Sequence, residues 1–150
     1  MIVTSKVVRL KPKMLSGNKR VKSLRNKLWE LCKQITRLRH GNTCYTCDKP
    51  RLEGVDWQTG HMWPKGAVGH SLKYDLRILR PQCFNCNINL GGMGAVFYRR
   101  MTKEIGNRAM EKLELEKIES KRGKTKADWV WFYAKIEEYN ELLDKEKAAQ

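Results

Sequence analysis

Long apolar runs are missing from this 150-residue chain. None approaches the roughly 20 residues that span a bilayer, so no membrane-spanning helix is expected. The first residues, MIVTSKVVRLKPK, hold no apolar block followed by small side chains, which argues against a secretory leader. A soluble, intracellular protein is the expectation. Acidic residues are almost absent from positions 1–39, where Glu30 stands alone against twelve Lys and Arg. Histidine is scarce, with three in the chain, and no internal repeat is visible. Hydrophobic residues are not scarce: at 41% of the chain they exclude a disordered tail and allow one modest domain with a core.

The net charge of +15 is unevenly placed. Most of it lies in residues 1–39, and the rest of the chain is nearly neutral. A basic arm on a neutral body is the electrostatic footprint of a nucleic-acid binder. A solvated basic face, or attraction to anionic lipid, is the plainer alternative. Lipid would call for an amphipathic anchor beside the charge, whereas the apolar stripe here is needed for a core.

Residues 1–18, with Pro12 and the Ser16-Gly17-Asn18 break, read as a flexible basic arm. Residues 19–39 read as a helix. Val21, Leu24, Leu28, Leu31, Ile35 and Leu38 recur at three- and four-residue steps, and Gly41 supplies a stop. Cys32, near the stripe's edge, reads as a small buried hydrophobe. Residues 42–91 lose that period, and short runs at Val55–Thr59 and Leu76–Leu79 suggest two strands around a loop. A helix is expected to open near Cys83. Helices follow at 94–105 and 107–120, broken at Gly106-Asn107, and a last one at 126–147. The expected division is an arm at 1–18, a basic helix at 19–41, a cysteine-rich core at 42–95 and a helical region at 96–150.

Cys44-Tyr-Thr-Cys47 and Cys83-Phe-Asn-Cys86 form two CxxC knuckles. Each offers two thiolates from a tight turn, and four together suit a closed tetrahedral zinc site. Two redox-active disulfides are the rival, disfavoured inside a cell. With four sulfur ligands, neither His61 nor His70 is needed on the ion. The insert between the knuckles then reads as strand, loop with His61, strand, followed by a helix carrying Asn87. A neutral imidazole at a strand end can take a proton from water. A side-chain amide oxygen can help hold a hard cation such as Mg²⁺. A structural role for His61, and a helix-cap role for Asn87, remain open on the residues alone.

Gly60-His61, Leu72-Lys73-Tyr74-Asp75-Leu76-Arg77, Pro81-Gln82-Cys83-Phe84-Asn85-Cys86-Asn87 and Gly91-Gly92 stand in this order. Tyr98-Arg99-Arg100-Met101, Glu104-Ile105-Gly106 and Ile118-Glu119-Ser120 follow them. Together they resemble the NinG/Rap recombination proteins of lambdoid phages, over roughly residues 44–140. The order is also similar to that of phage endonuclease VII. The resemblance implies an α+β fold: a zinc-stabilised ββα-metal (HNH) core flanked by N-terminal and C-terminal helices. It implies a metal-dependent endonuclease cutting branched recombination intermediates, Holliday junctions and D-loops, in the cytoplasm of a bacterial host. His61 takes the general-base place, Asn87 a magnesium-ligand place, and Cys44, Cys47, Cys83 and Cys86 the zinc places. Where the family often carries an acid, three residues before the histidine, this chain has Gln58, and Asp56 lies two residues further back. The middle asparagine of the HNH pattern falls at Ile78. A backbone carbonyl or Asp75 is then left to orient the imidazole, and Asp75 serves equally as a turn cap or partner of Arg77.

On this reading Lys65, Arg77, Arg80, Arg99 and Arg100 bind phosphates near the cut, and Lys19, Arg20, Lys22 and Arg25 hold duplex arms. The expected cofactors are structural Zn²⁺ and catalytic Mg²⁺ or Mn²⁺. Expected partners are branched or duplex DNA and a second copy of the chain, with helix 126–147 serving as a dimer face or as a cap on its own chain. Two alternatives are a non-catalytic zinc-stabilised binding module and a generic HNH nicking or homing nuclease.

Overall fold

A computed structural model describes residues 17–122 and 127–150. The expected arm lies outside the described residues as far as position 16. Its last two residues, Gly17 and Asn18, already belong to the first helix, α1 (Gly17–His40). No proline interrupts α1, and Arg37, Arg39 and His40 sit in its last turn, where cations complement the helix dipole. Gly41 ends it at φ 72°. That left-handed conformation costs glycine little, and the Gly41 N–H still reaches the Arg37 carbonyl at 2.9 Å. Leu28, Leu31 and Ile35 of the apolar stripe are buried, and so is Cys32.

The last helix, α5 (Trp129–Ala148), opens on Asp128, whose carboxylate accepts from the Trp131 N–H at 2.9 Å. Its buried face is Phe132, Ile136, Tyr139 and Leu143. This face packs along α1 of the same chain, and the two helices run parallel. Arg20 lies over the Trp129 ring near both starts, and Arg39 pairs with Glu146 near both ends at 2.7 Å. Trp129 and Tyr133 are largely exposed, while Trp131 turns inward against His70 and Phe132. Among the expected helix residues, Lys126 lies outside the described residues.

The described residues hold one antiparallel pair, β1 (Gln58–His61) and β2 (Leu79–Gln82), which lies between α1 and α5 in sequence and packs against α1. Gln58 faces Gln82, and His61 faces Leu79. Both strands start three residues later than the expected runs. Gly54–Asp56 and Leu76–Ile78 instead form single tight helical turns leading into the strands. Pro81 is tolerated because a two-stranded sheet has only edges. Such a pair is marginal alone, so its stability comes from packing: Ile78 and Leu79 are fully buried beside Leu28, Ile35 and Phe97.

The connection from β1 to β2 carries the short helix α2 (His70–Lys73). It is clamped from outside by α4 (Asn107–Arg122), which follows α3 (Gly94–Ile105) across Gly106. The Ser120 hydroxyl accepts from the Gly69 N–H at 3.0 Å, and Lys121 donates to the Gly66 carbonyl at 2.6 Å. A Cβ on Gly69 would lie 2.1 Å from the Ser120 carbonyl oxygen, so only glycine fits there. The boundary expected at 95/96 falls inside α3. Residues of α1, the insert, α3, α4 and α5 share one main core, and three of the knuckle cysteines, Cys44, Cys83 and Cys86, with Leu52 and Trp57 form a second, smaller one, while Cys47 is exposed.

Candidate active site and metal centre

The two knuckles meet. The Sγ atoms of Cys44, Cys47, Cys83 and Cys86 all lie within 4.8 Å of one another, and all four are free thiols. Cys47 Sγ and Cys83 Sγ are 3.8 Å apart. A tetrahedron with Zn–S bonds of about 2.3 Å has edges of roughly 3.8 Å, so the donor set fits a structural zinc ion. The Cys86 N–H points at Cys83 Sγ at 3.4 Å, and Thr46 Oγ1 lies 3.5 Å from Cys44 Sγ. Burial pushes the Cys44 thiol up, but hydrogen bonds from Thr46 and from nearby backbone N–H groups outweigh it and bring it down to about 6. Burial holds the Cys47 and Cys86 thiols above the ordinary value, Cys86 at about 12, so the four become thiolates together only as a metal displaces their protons. Cys32 lies apart, with Sγ 3.6 Å from the Tyr74 carbonyl, and burial raises its thiol to about 12.

Two side chains tie the knuckles to the strands. Gln82, fully buried, donates through Nε2 to Thr46 Oγ1 at 3.0 Å and to the Gly92 carbonyl at 2.9 Å. It lies flat against Gly60, where a Cβ would meet its Oε1 at 2.0 Å. The glycine before His61 is therefore space for Gln82. Asp56 accepts from the Phe84 N–H at 3.0 Å and pairs with Lys49 at 2.7 Å. It thus joins one knuckle to the other.

Beside this centre is a cavity of about 520 Å³ whose wall includes Trp29, Lys33, Gln58, Thr59, His61, Lys65 and Asn87. His61 closes β1 rather than standing in a loop. Its Nε2 lies 2.8 Å from the Lys73 carbonyl oxygen. A carbonyl only accepts, so Nε2 carries the hydrogen and Nδ1 is the basic nitrogen. The ring is stacked on Trp29 with centroids 5.1 Å apart and planes 10° from parallel. Burial, then the charges of Lys65 and Lys73, pull the imidazole down to about 4 against the Lys73 bond, which pulls it up. It is a neutral base well below neutral pH. Thr59 Oγ1 is buried without a hydrogen-bond partner among the described residues. Asn87 sits on a wide helical turn, Asn85–Asn89, just past the second knuckle, and its N–H bonds the Cys83 carbonyl at 3.0 Å. Gln58 donates its amide nitrogen to the Val55 carbonyl, a bond that does not use its oxygen.

Among the expected site residues, His61, Asn87, Gln58 and Lys65 come together at this cavity. Asp56 does not border it, being held by Lys49 and Phe84. Asp75 does not hold the imidazole: it caps the Leu76–Ile78 turn through the Arg77 N–H at 2.9 Å and pairs with the Arg77 guanidinium. The orienting acceptor is the Lys73 carbonyl. Several expected phosphate ligands are committed elsewhere. Arg77 lies between Asp75 and Glu116, Arg80 is 5% exposed and bonded to Glu104, and Arg100 makes a two-pronged pair with Asp48 at 2.6 Å. Arg99, Lys19, Lys22 and Arg25 are exposed and make no ion pair among the described residues. Arg20 and Arg25 lie over aromatic rings of α5. Trp29, Thr59 and Lys33 escape sequence reasoning. Trp29 left one signal, a large aromatic off the α1 apolar stripe and next to Glu30, the single acid of that segment.

Residues 7–146 match the family model described as bacteriophage lambda NinG protein. No curated protein matches the chain, and no solved structure does.

Proposed function

The chain belongs to the bacteriophage lambda NinG family, and we propose that within it this protein is a metal-dependent endonuclease acting on branched DNA, with His61 as general base. The observation that carries this reading is the state of His61. Its ring is held at Nε2 by a backbone carbonyl, which leaves Nδ1 as the unprotonated nitrogen, and it lies on the wall of a cavity that Asn87 shares, where burial keeps the imidazole below its ordinary pKa. The order β1 ending in His61, β2, then a helical turn bearing Asn87 beside a four-cysteine cluster supports a zinc-stabilised ββα-metal arrangement.

The cavity wall also bears on a catalytic cation. Three neutral oxygens, those of Gln58, Thr59 and Asn87, are at hand, and Thr59 Oγ1 lacks a partner among the described residues. Mg²⁺ or Mn²⁺ takes oxygen ligands and is often held largely by substrate phosphate, and these residues fit an ion that arrives with the DNA. Asn87 and Gln58 would hold it. Bound there, it supplies charge neutralisation at the scissile phosphate. The chain's own part is proton transfer: Nδ1 of His61 takes the proton of the water that attacks phosphorus. Lys65, on the cavity wall, meets phosphate charge, and Lys33 beside it is shared with Glu30.

Exposed Lys19, Lys22 and Arg25 along α1 extend a positive track away from the cavity, suited to duplex backbone. Recognition by backbone and shape fits branched DNA in recombination, since no base-reading motif is present. Two cuts on a symmetric junction call for two copies of the chain. The host-cell cytoplasm is the place for such work.

One observation favours a second reading, a non-catalytic DNA-binding module: no carboxylate borders the cavity among the described residues. The variant His61→Ala separates the two. On the nuclease reading it cuts a four-way junction at least about 100-fold more slowly and binds it as the parent does. If the parent binds junctions and neither protein cuts under any divalent metal, the binding module stands.

A further inference from the structure

We infer that Trp29 is a positioning residue for His61, so that helix α1 completes the catalytic centre built by the insert. This rests on the nuclease reading above. A single hydrogen bond at Nε2 fixes one end of the imidazole and leaves the ring free to turn about its long axis. Histidine has a broad preference for that torsion. The plane decides where the Nδ1 lone pair points, and proton transfer needs that direction held. The stacked indole of Trp29, 10° from parallel with the ring, removes the rotation.

Trp29 is itself pinned. Lys65 Nζ lies 4.6 Å from its ring centre, a cation on the indole face. Lys65 and His61 are four residues apart in the chain and both meet Trp29, so the start of the β1–β2 connection grips a residue of another helix. Trp29 also touches the main core, yet it stands off the buried stripe formed by Leu28, Leu31 and Ile35 and lines the cavity beside Lys33. The charged groups nearest the imidazole are Lys65 and Lys73 from the connection; Lys33 of α1, also on the cavity wall, is paired with Glu30, and no acid borders the cavity among the described residues. A ring in that field and shielded by an indole stays neutral and aimed.

The test uses the full chain with its zinc, a four-way junction and Mg²⁺, and the variants Trp29→Phe, Trp29→Leu and Trp29→Ala. Loss of a positioning contact costs roughly 10- to 100-fold in kcat. Trp29→Ala and Trp29→Leu should both show it, with KM within about threefold of the parent. Trp29→Phe keeps a ring face and should stay within about fivefold of the parent. Nitrogen NMR of the His61 ring gives a readout besides cleavage. The parent should show one tautomer with the hydrogen on Nε2, and Trp29→Leu a mixture with the titration moved toward the ordinary histidine value. Unchanged kcat and unchanged ring signals in Trp29→Leu would overturn the inference, and so would a loss in Trp29→Phe equal to that in Trp29→Leu. If the parent cuts nothing, the nuclease reading falls, and the ring signals alone decide whether Trp29 positions His61.

Discussion

Replacing Gly60 by alanine tests how the strand pair is joined to the cysteine centre. The new methyl would sit 2.0 Å from Gln82 Oε1, 2.6 Å from its Cδ and 2.8 Å from its Cγ. A tip alone could swing away at little cost. Gln82 cannot do so freely: it is fully buried, and its Nε2 serves both Thr46 and Gly92. If Gln82 stays, the overpacking costs about 1–3 kcal/mol. If it leaves, two hydrogen bonds go, and the buried acceptors left behind cost about 1–3 kcal/mol each. The protein takes the cheaper course, so we expect Gly60→Ala to cost about 2–3 kcal/mol, the upper part of the overpacking range, because three Gln82 atoms are met at once. For a chain of this length that is a fall in Tm of roughly 4–12 °C. Urea unfolding followed by tryptophan fluorescence measures it. A double-mutant cycle isolates the cause: in a Gln82→Ala background, where the space is open, the same change should cost less by at least about 1 kcal/mol. A loss under about 1 kcal/mol, or equal losses in both backgrounds, would refute the packing argument.

Other consequences follow from the same geometry. Cys83→Ser, or a strong zinc chelator, should abolish the cooperative unfolding transition, because structural zinc supplies folding free energy. Cys32→Ala should leave zinc content unchanged by atomic absorption. Glu104→Ala removes the partner of buried Arg80 and the acceptor of the Tyr45 hydroxyl. Glu104 is itself partly exposed, so solvent screening reduces the loss to about 1–3 kcal/mol in thermal unfolding. His61 titrates near 4 when folded and near 6.5 when unfolded. The folded state therefore binds fewer protons, and the stability this gives is full above pH 6.5. It drains, on the order of 3 kcal/mol in total, as pH falls toward 4. His61→Gln should flatten that part of the stability–pH curve, and an unchanged curve would show that the ring is solvated. The same titration predicts junction cleavage that holds from pH 8 to about 5, where an exposed histidine base would already fail.

The sequence carried the helices well because periodicity reports a buried face directly. Leu28, Leu31 and Ile35 are buried as their spacing predicts, and Gly106 breaks α3 from α4 where the pattern breaks. The strands were legible in order but not in place. Four-residue strands fixed by Gln82 and the knuckles have no pattern long enough to set their ends. The cysteine cluster was legible from spacing alone. The charged residues were not, because their partners are remote. Arg80 meets Glu104, Arg77 meets Glu116 and Arg100 meets Asp48, at separations of 24, 39 and 52 residues. An arginine's availability to DNA is decided by such pairs, and no local pattern shows them. Trp29 was hidden for the same reason, since its partner His61 is 32 positions away on another element.

The central claim is that the cavity holding His61 cuts branched DNA with a divalent metal. The most direct measurement incubates the zinc-loaded protein with an end-labelled four-way junction and with linear duplex of the same sequence, each in Mg²⁺, Mn²⁺ or EDTA. The account predicts incision near the branch point of the junction in either metal, little on the duplex, and none in EDTA. Tight junction binding with no incision in either metal would contradict it.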